Sequence, residues 1–188
     1  MMQTTVHPKA CRQCSREFMP ARPLQAVCSP RCAERKGRAD KAAAKAADRA
    51  LTRKRREAIK TIADRIAEAQ AACNAYIRAR DAGKPCICCG KPMEPQKAGG
   101  SMDAGHFRSR SSAPQLRFDE DNIFGQRKNC NRPGGTTYAA FRAGVVARIG
   151  EERTAAVEAA NHSHKWTHDE LIEIRAGYIA KRKSIEKG

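Results

Sequence analysis

Asp103-Ala-Gly-His106, Asn122 sixteen residues further on, and Cys130-Asn131 form the stretch whose reading decides the fold, and Cys86-x-x-Cys89 stands just upstream of it. Each residue type has a chemical use. A histidine on a strand takes a proton from water, hard oxygen donors hold a divalent ion, and paired cysteines hold zinc. Together, at these intervals, they are the parts of a small metal-dependent nuclease site. A formal net charge of +17 matches such a site to a polyanionic substrate.

The totals bound the architecture. A chain of 188 residues with 40% hydrophobic and 5% aromatic residues has no large aromatic core to build, and much of its apolar share is alanine. Modules of this kind need staples, and nine cysteines supply them. Met1 to Ala10 has no apolar segment of the signal-peptide type, and no run of about 18 apolar residues exists to span a membrane. The expected location is the cytoplasm, where cysteine pairs at short spacing read as zinc ligands before disulfides. Nine is also an odd count, which suits metal sites with spare thiols.

The basic excess is uneven. Residues 1–65 hold 17 Lys and Arg against 6 Asp and Glu, and residues 66–188 hold 20 against 14. Lysine and arginine clusters neutralise phosphates in a salt-sensitive, sequence-independent way, so DNA is the expected partner.

Around the deciding stretch the chain falls into three parts. Residues 1–35 carry Cys11-x-x-Cys14 and Cys28-Ser-Pro-Arg-Cys32, four thiolates fit for one closed, structural Zn²⁺ site, with Phe18 and Val27 packing around it. Residues 36–58 form a basic helical linker. No glycine or proline occurs from Arg38 to Ala82, a composition for one long helix or two nearly continuous ones. Lys41, Lys45, Arg49 and Arg53 recur every fourth residue and run into Lys54, Arg55 and Arg56, a basic ridge able to follow a phosphate backbone. Residues 59–188 are the third part. Ile59, Ile62, Ile66, Ala69, Cys73 and Tyr76/Ile77 make an amphipathic stripe, with Cys73 as a small hydrophobe. Asp81-Ala-Gly-Lys-Pro85 ends that helix. Residues 86–131 read as irregular strands and loops with a turn at Gly99-Gly100, and helices resume beyond 137 with Gly150 between two of them. Thr167-His-Asp-Glu170 is a capping box opening the last helix. His162, His164 and His168 have no common metal-site spacing and read as loop and cap residues around Trp166. The expected class is α+β: a zinc module, a long basic helix, and a ββα-metal core with C-terminal helices.

Beyond these motifs, Ala113-Pro-Gln-Leu-Arg-Phe118, Asn122-Ile123, Arg148-Ile-Gly150, Asn161-His162 and Trp166-Thr167 follow in collinear order. Over nearly its whole length the chain resembles the phage NinG (Rap) recombination nucleases. The resemblance implies an HNH-like fold, the host bacterial cytoplasm, and cleavage of branched DNA such as Holliday junctions and D-loops. On this reading His106 is the general base and Asn122 its orienting residue. Asp103 and Asn131 face Mg²⁺ or Mn²⁺, and Arg108, Arg110 and Arg117 place phosphates. Symmetric junction cutting favours a homodimer, and phage or host recombination proteins are the implied partners.

Where the family has a second cysteine pair after the asparagine, this chain has Arg127 and only Cys130, so Cys86, Cys89 and Cys130 are one ligand short of a closed Zn²⁺ site unless Cys88 joins them. Phe124 and Gly134-Gly135-Thr136 replace a family histidine and a lysine-bearing segment. These departures keep a second reading open, a catalytically weakened zinc-containing DNA-binding adaptor of recombination. A sequence-specific regulator finds no helix-turn-helix or Cys₂His₂ spacing to support it.

Overall fold

Two cysteine pairs come together in an N-terminal segment that has few apolar residues. The computed structural model describes residues 7–93 and 102–187, so the Gly99-Gly100 turn and residues 1–6 lie outside the described residues. The chain divides into two compact units, residues 1–59 and 60–188.

In the first unit β1 (Lys9–Ala10) and β2 (Glu17–Phe18) pair antiparallel, and α1 runs from Pro30 to Ala58. The helix starts earlier than composition alone suggested. Ser29 caps it by accepting the Cys32 N–H at 3.3 Å, and Pro30 fits the first turn, where no N–H is needed. The second cysteine pair therefore spans the helix start, with Cys32 in its first turn. No residue of α1 is buried.

Thr61 ends the continuity of the long helical composition. Its hydroxyl accepts the Asp64 N–H while the Asp64 carboxylate accepts the Thr61 N–H at 2.9 Å, a capping box that opens α2 (Ile62–Arg80). Ile59 falls outside that helix and is exposed, a correction to the six-position stripe. The remaining positions do dock: Ala69, Cys73, Tyr76 and Ile77 are buried against Leu171 and Tyr178 of α5 (His168–Ile185), with Ile62 and Ile66 packed beside them. Burial pushes the Cys73 thiol up to about 12, as expected of a core residue.

Between the helices lies a hairpin of β3 (Met102–His106) and β4 (Ile123–Arg127), paired antiparallel from Met102↔Arg127 to His106↔Ile123. Successive strand residues point to opposite faces. Ile123 accordingly joins the α2–α5 core, and its neighbour Phe124 joins a second core with Ile87, Phe107, Leu116, Phe141 and Val145. Helix α3 (Tyr138–Ile149) closes that second core and turns through Gly150 into α4 (Glu151–Ala159). Its approach is close, for a Cβ on Gly144 would lie 1.7 Å from the Ile87 carbonyl. The class is thus α+β, with α3, α4 and α5 following a two-stranded hairpin.

Asp81 fastens α2 to the hairpin. Its buried carboxylate accepts the Gly125 N–H at 2.7 Å and pairs with Arg80 at 2.9 Å. Burial alone would raise its pKa, yet these partners hold it below the ordinary carboxylate range. Among the described residues no helix is long and apolar enough to cross a membrane.

Candidate active site

An open cleft of about 460 Å³ collects the residues that carry chemistry. Strand β3 contributes Asp103, Ala104 and His106, the loop after it Ser109 and Arg110, the segment past β4 Asn131, and α2 Asn74 and Arg78. Of the expected site residues, Asp103, His106, Asn131 and Arg110 therefore border one space.

His106 is half-buried, and its Nε2 lies 3.0 Å from the Arg117 carbonyl oxygen. A carbonyl only accepts, so Nε2 carries the proton and Nδ1 keeps the lone pair in the neutral ring. Burial lowers the His106 pKa, and the nearby Arg110 and Arg117 charges lower it further against the opposing carbonyl bond. The imidazole is therefore neutral at physiological pH. Asn131 Nδ2 donates to Asp103 Oδ2 at 3.2 Å, a bond in which the Asn131 side-chain oxygen and the second Asp103 carboxylate oxygen take no part.

Two expected roles need correction. Asn122 makes no hydrogen bond to the His106 ring. It is fully buried, with Oδ1 accepting the Arg108 N–H at 2.7 Å and Nδ2 donating to the Arg108 and Leu116 carbonyls at 3.0 and 3.1 Å. It shapes the loop that delivers the Arg117 carbonyl, so it positions the histidine at one remove. Arg108, expected to place a phosphate, is already engaged within the protein. Its guanidinium donates to the Val157, Glu158 and Ala160 carbonyls and to Asn161 Oδ1, tying the segment after β3 to the end of α4. Arg110 is exposed and Arg117 half-buried, and both bring their charge close enough to act on the histidine.

Asn74 and Arg78 are cleft residues that the motif reading missed. A signal was available: Gln70, Asn74 and Arg78 recur every fourth residue beside the apolar stripe of α2.

Each unit also holds a cysteine cluster fit for a metal such as zinc. The sulfurs of Cys11, Cys14, Cys28 and Cys32 gather within 4.8 Å of one another, as do those of Cys86, Cys89 and Cys130. Both knuckles are built alike. Ser15 N–H donates to the Cys11 carbonyl with Ser15 at φ 57, and Gly90 N–H donates to the Cys86 carbonyl with Gly90 at φ 66. In each, one buried sulfur accepts a backbone N–H: Cys11 from Cys28 at 3.4 Å, and Cys86 from Arg127 at 3.3 Å. Burial raises both thiols, but these backbone bonds outweigh it, drawing Cys11 down to about 6 and Cys86 below its ordinary value. Thiolates are the form a metal takes.

Cys88 stands apart from the second cluster. Its sulfur accepts Gln126 Nε2 at 2.9 Å, it packs on the second core, and burial pushes its thiol up to about 11. The second cluster therefore has three sulfurs among the described residues. Phe124 is 1% exposed and fills the core, away from any ligand role. On α1, Lys41, Lys45, Arg49, Arg53, Lys54, Arg55 and Arg56 are all exposed. His164 packs edge-on against Trp166 with ring centroids 4.2 Å apart.

Comparison with known proteins gives the family. Residues 4–188 match the family model described as Bacteriophage Lambda NinG protein. Protein ninG of Escherichia phage lambda is 36% identical over 190 residues, covering 92% of this chain and 90% of that protein. Protein ninG of Salmonella phage P22 is also 36% identical over 190 residues, with the same coverage. Protein ninG of Escherichia phage 933W is 41% identical over 120 residues, which span 64% of this chain and only 57% of that relative. No solved structure matches. With a family model covering almost the whole sequence, the chain belongs to the NinG family of phage proteins.

Proposed function

We propose that this protein is a metal-dependent, HNH-like endonuclease that hydrolyses phosphodiester bonds in branched DNA, such as Holliday junctions and D-loops. One observation carries the reading: a neutral histidine, its Nε2–H held by a carbonyl, shares a cleft with an Asp–Asn oxygen pair and free arginine charge. His106 Nδ1 takes a proton from the attacking water, and its lowered pKa keeps it ready to do so near neutrality. Arg110 and Arg117 hold the phosphate, and Asn122 keeps the Arg117 carbonyl in place. Asp103 and Asn131 offer hard oxygen donors of the kind that suits Mg²⁺ or Mn²⁺ and would hold it. Such an ion, when bound, supplies positive charge to the phosphate and the leaving oxygen. Zn²⁺ in the four-cysteine cluster is structural, and the exposed basic ridge of α1 binds DNA backbone. The branched substrate rests on the family resemblance. Two chains per four-way junction, and phage or host recombination proteins as partners, belong to the same proposal.

A second reading has its own observation. Asp103 is the only carboxylate among the described residues lining the cleft, so the protein as an adaptor would bind junctions without cutting them. Cleavage of a labelled four-way junction in Mg²⁺, beside a linear duplex and a His106→Ala control, separates the two. Junction-selective cutting lost in the mutant is expected. Tight binding without cutting by both proteins would establish the adaptor.

A further inference from the structure

Helix α2 carries three arginines toward its neighbours, and two of them are engaged. Arg65 lies 3.7 Å from the Glu68 carboxylate, and Arg80 binds Asp81 and the Glu120 and Ile123 carbonyls. Arg78 differs. It is exposed, it lines the cleft, and no hydrogen bond or ion pair engages it among the described residues.

An exposed arginine is ordinary by itself, but the residue one turn before it is not. Asn74, half-buried and also lining the cleft, accepts a hydrogen bond on Oδ1 from Gln70 Nε2 at 2.8 Å. Gln70 is 6% exposed. With its side-chain oxygen paired to Gln70, Asn74 is left with its NH₂ group, two N–H donors with no acceptor among the described residues. Residues four apart lie on one helix face. The Gln70–Asn74–Arg78 row therefore presents an amide donor and a guanidinium fork to a cleft that already holds His106. Donors without acceptors, beside free positive charge, are what an anionic oxygen requires, and a guanidinium matches a phosphate in particular.

We propose that Asn74 and Arg78 form a phosphate-binding site of this cleft, engaging a phosphodiester of the DNA backbone adjacent to the one hydrolysed beside His106. The proposal rests on the nuclease reading for its substrate. Its geometry assigns α2 a direct role in holding the strand, and it makes Gln70 a positioning residue for Asn74.

The test is the salt dependence of binding to a fluorescent four-way junction in Ca²⁺, an ion chosen to limit cutting, with the full-length protein. Each protein–phosphate contact contributes about one unit to the slope of log affinity against log salt. Arg78→Gln is expected to lower that slope by about one and to weaken binding several-fold, with the thermal midpoint unchanged because the side chain is exposed. Arg78→Lys should keep the slope and lose only part of the affinity, since it retains charge without the fork. Asn74→Asp should weaken binding more than Asn74→Ala, because a carboxylate repels the phosphate that an amide attracts. An unchanged slope in Arg78→Gln, or equal effects of Asp and Ala at position 74, would overturn the proposal. Failure of the nuclease reading would show separately: wild-type protein that binds but never cuts in Mg²⁺, while the Arg78→Gln slope still falls, leaves the phosphate site standing and removes the enzyme.

Discussion

His106 is held by the carbonyl of Arg117 at 3.0 Å, and the asparagine expected to hold it, Asn122, is instead buried in the loop that brings that carbonyl into place. The ring's partner is backbone, so the histidine's tautomer depends on loop shape. His106→Ala should abolish cleavage while leaving junction affinity and the thermal midpoint close to wild type. Asn122→Ala should behave differently. It strands the Arg108 N–H and the Arg108 and Leu116 carbonyls in a fully buried site, so a loss of about 2–4 kcal/mol is expected from unsatisfied buried polar groups. Calorimetric melting alongside cleavage separates the two: a stable, inactive Asn122→Ala would mean direct contact with the reacting groups.

The lowered pKa of His106 makes a prediction about pH with a definite sign. The neutral ring is the base, so cleavage should rise with pH through a midpoint below the ordinary histidine value and level off by neutrality. For stability, the unfolded chain binds the proton more readily than the folded one, since the folded pKa is depressed. Stability is therefore full above the unfolded value of about 6.5 and is lost as pH falls through the folded value. Wild type should lose more stability between pH 7 and 5 than His106→Gln. Identical pH profiles of the melting midpoint would show that the ring is not desolvated.

The second cysteine cluster has three sulfurs, and its fourth corner borders Arg127, whose N–H already donates to Cys86 Sγ. Arg127→Cys would form a Cys-x-x-Cys pair with Cys130, repeating the spacing of Cys86 and Cys89 in the opposite knuckle. That substitution should raise bound zinc from about one to about two per chain, measured by mass spectrometry of the native protein. Cys88→Ser should leave zinc content unchanged, because that sulfur faces Gln126 and the core. Loss of zinc in Cys88→Ser would make Cys88 the missing ligand.

Side-chain patterns made much of this legible. Cysteine spacing located both clusters, the three-and-four stripe located the docking face of α2, and Thr167 with Glu170 located the start of α5. The stripe ran one residue too far because Ile59 matches its period, and only the Thr61 capping box marks the break. The cleft gathered Asp103, His106 and Asn131, which sequence placed within 29 residues of one another. What escaped were partners without a signature. A carbonyl such as that of Arg117 is the same in every residue, and the acceptors of Arg108 lie some 50 residues away at the end of α4. Asn74 escaped because a polar residue beside an apolar stripe is normally just a solvated edge.

Arg108 and Arg110 are two residues apart and should respond oppositely to the same substitution. Arg108 donates to three carbonyls and an asparagine oxygen; the Ala160 carbonyl keeps a second donor, Gln115 Nε2, but Arg108→Ala takes the guanidinium from the Val157 and Glu158 carbonyls and removes the tie between the segment after β3 and the end of α4. A charged donor to neutral acceptors contributes about 1.5–3 kcal/mol, and a loss of stability of that order, read as a lower melting midpoint, is expected. The salt slope of junction binding should not change, because the guanidinium is taken up by acceptors within the protein. Arg110 is exposed and lines the cleft, so Arg110→Ala should leave the midpoint alone and lower the slope by about one. It should also raise the midpoint of the cleavage pH profile, since removing a nearby positive charge lets His106 hold its proton more tightly. A stable Arg108→Ala with a reduced slope would return Arg108 to the phosphate contacts and place the β3–α4 tie elsewhere.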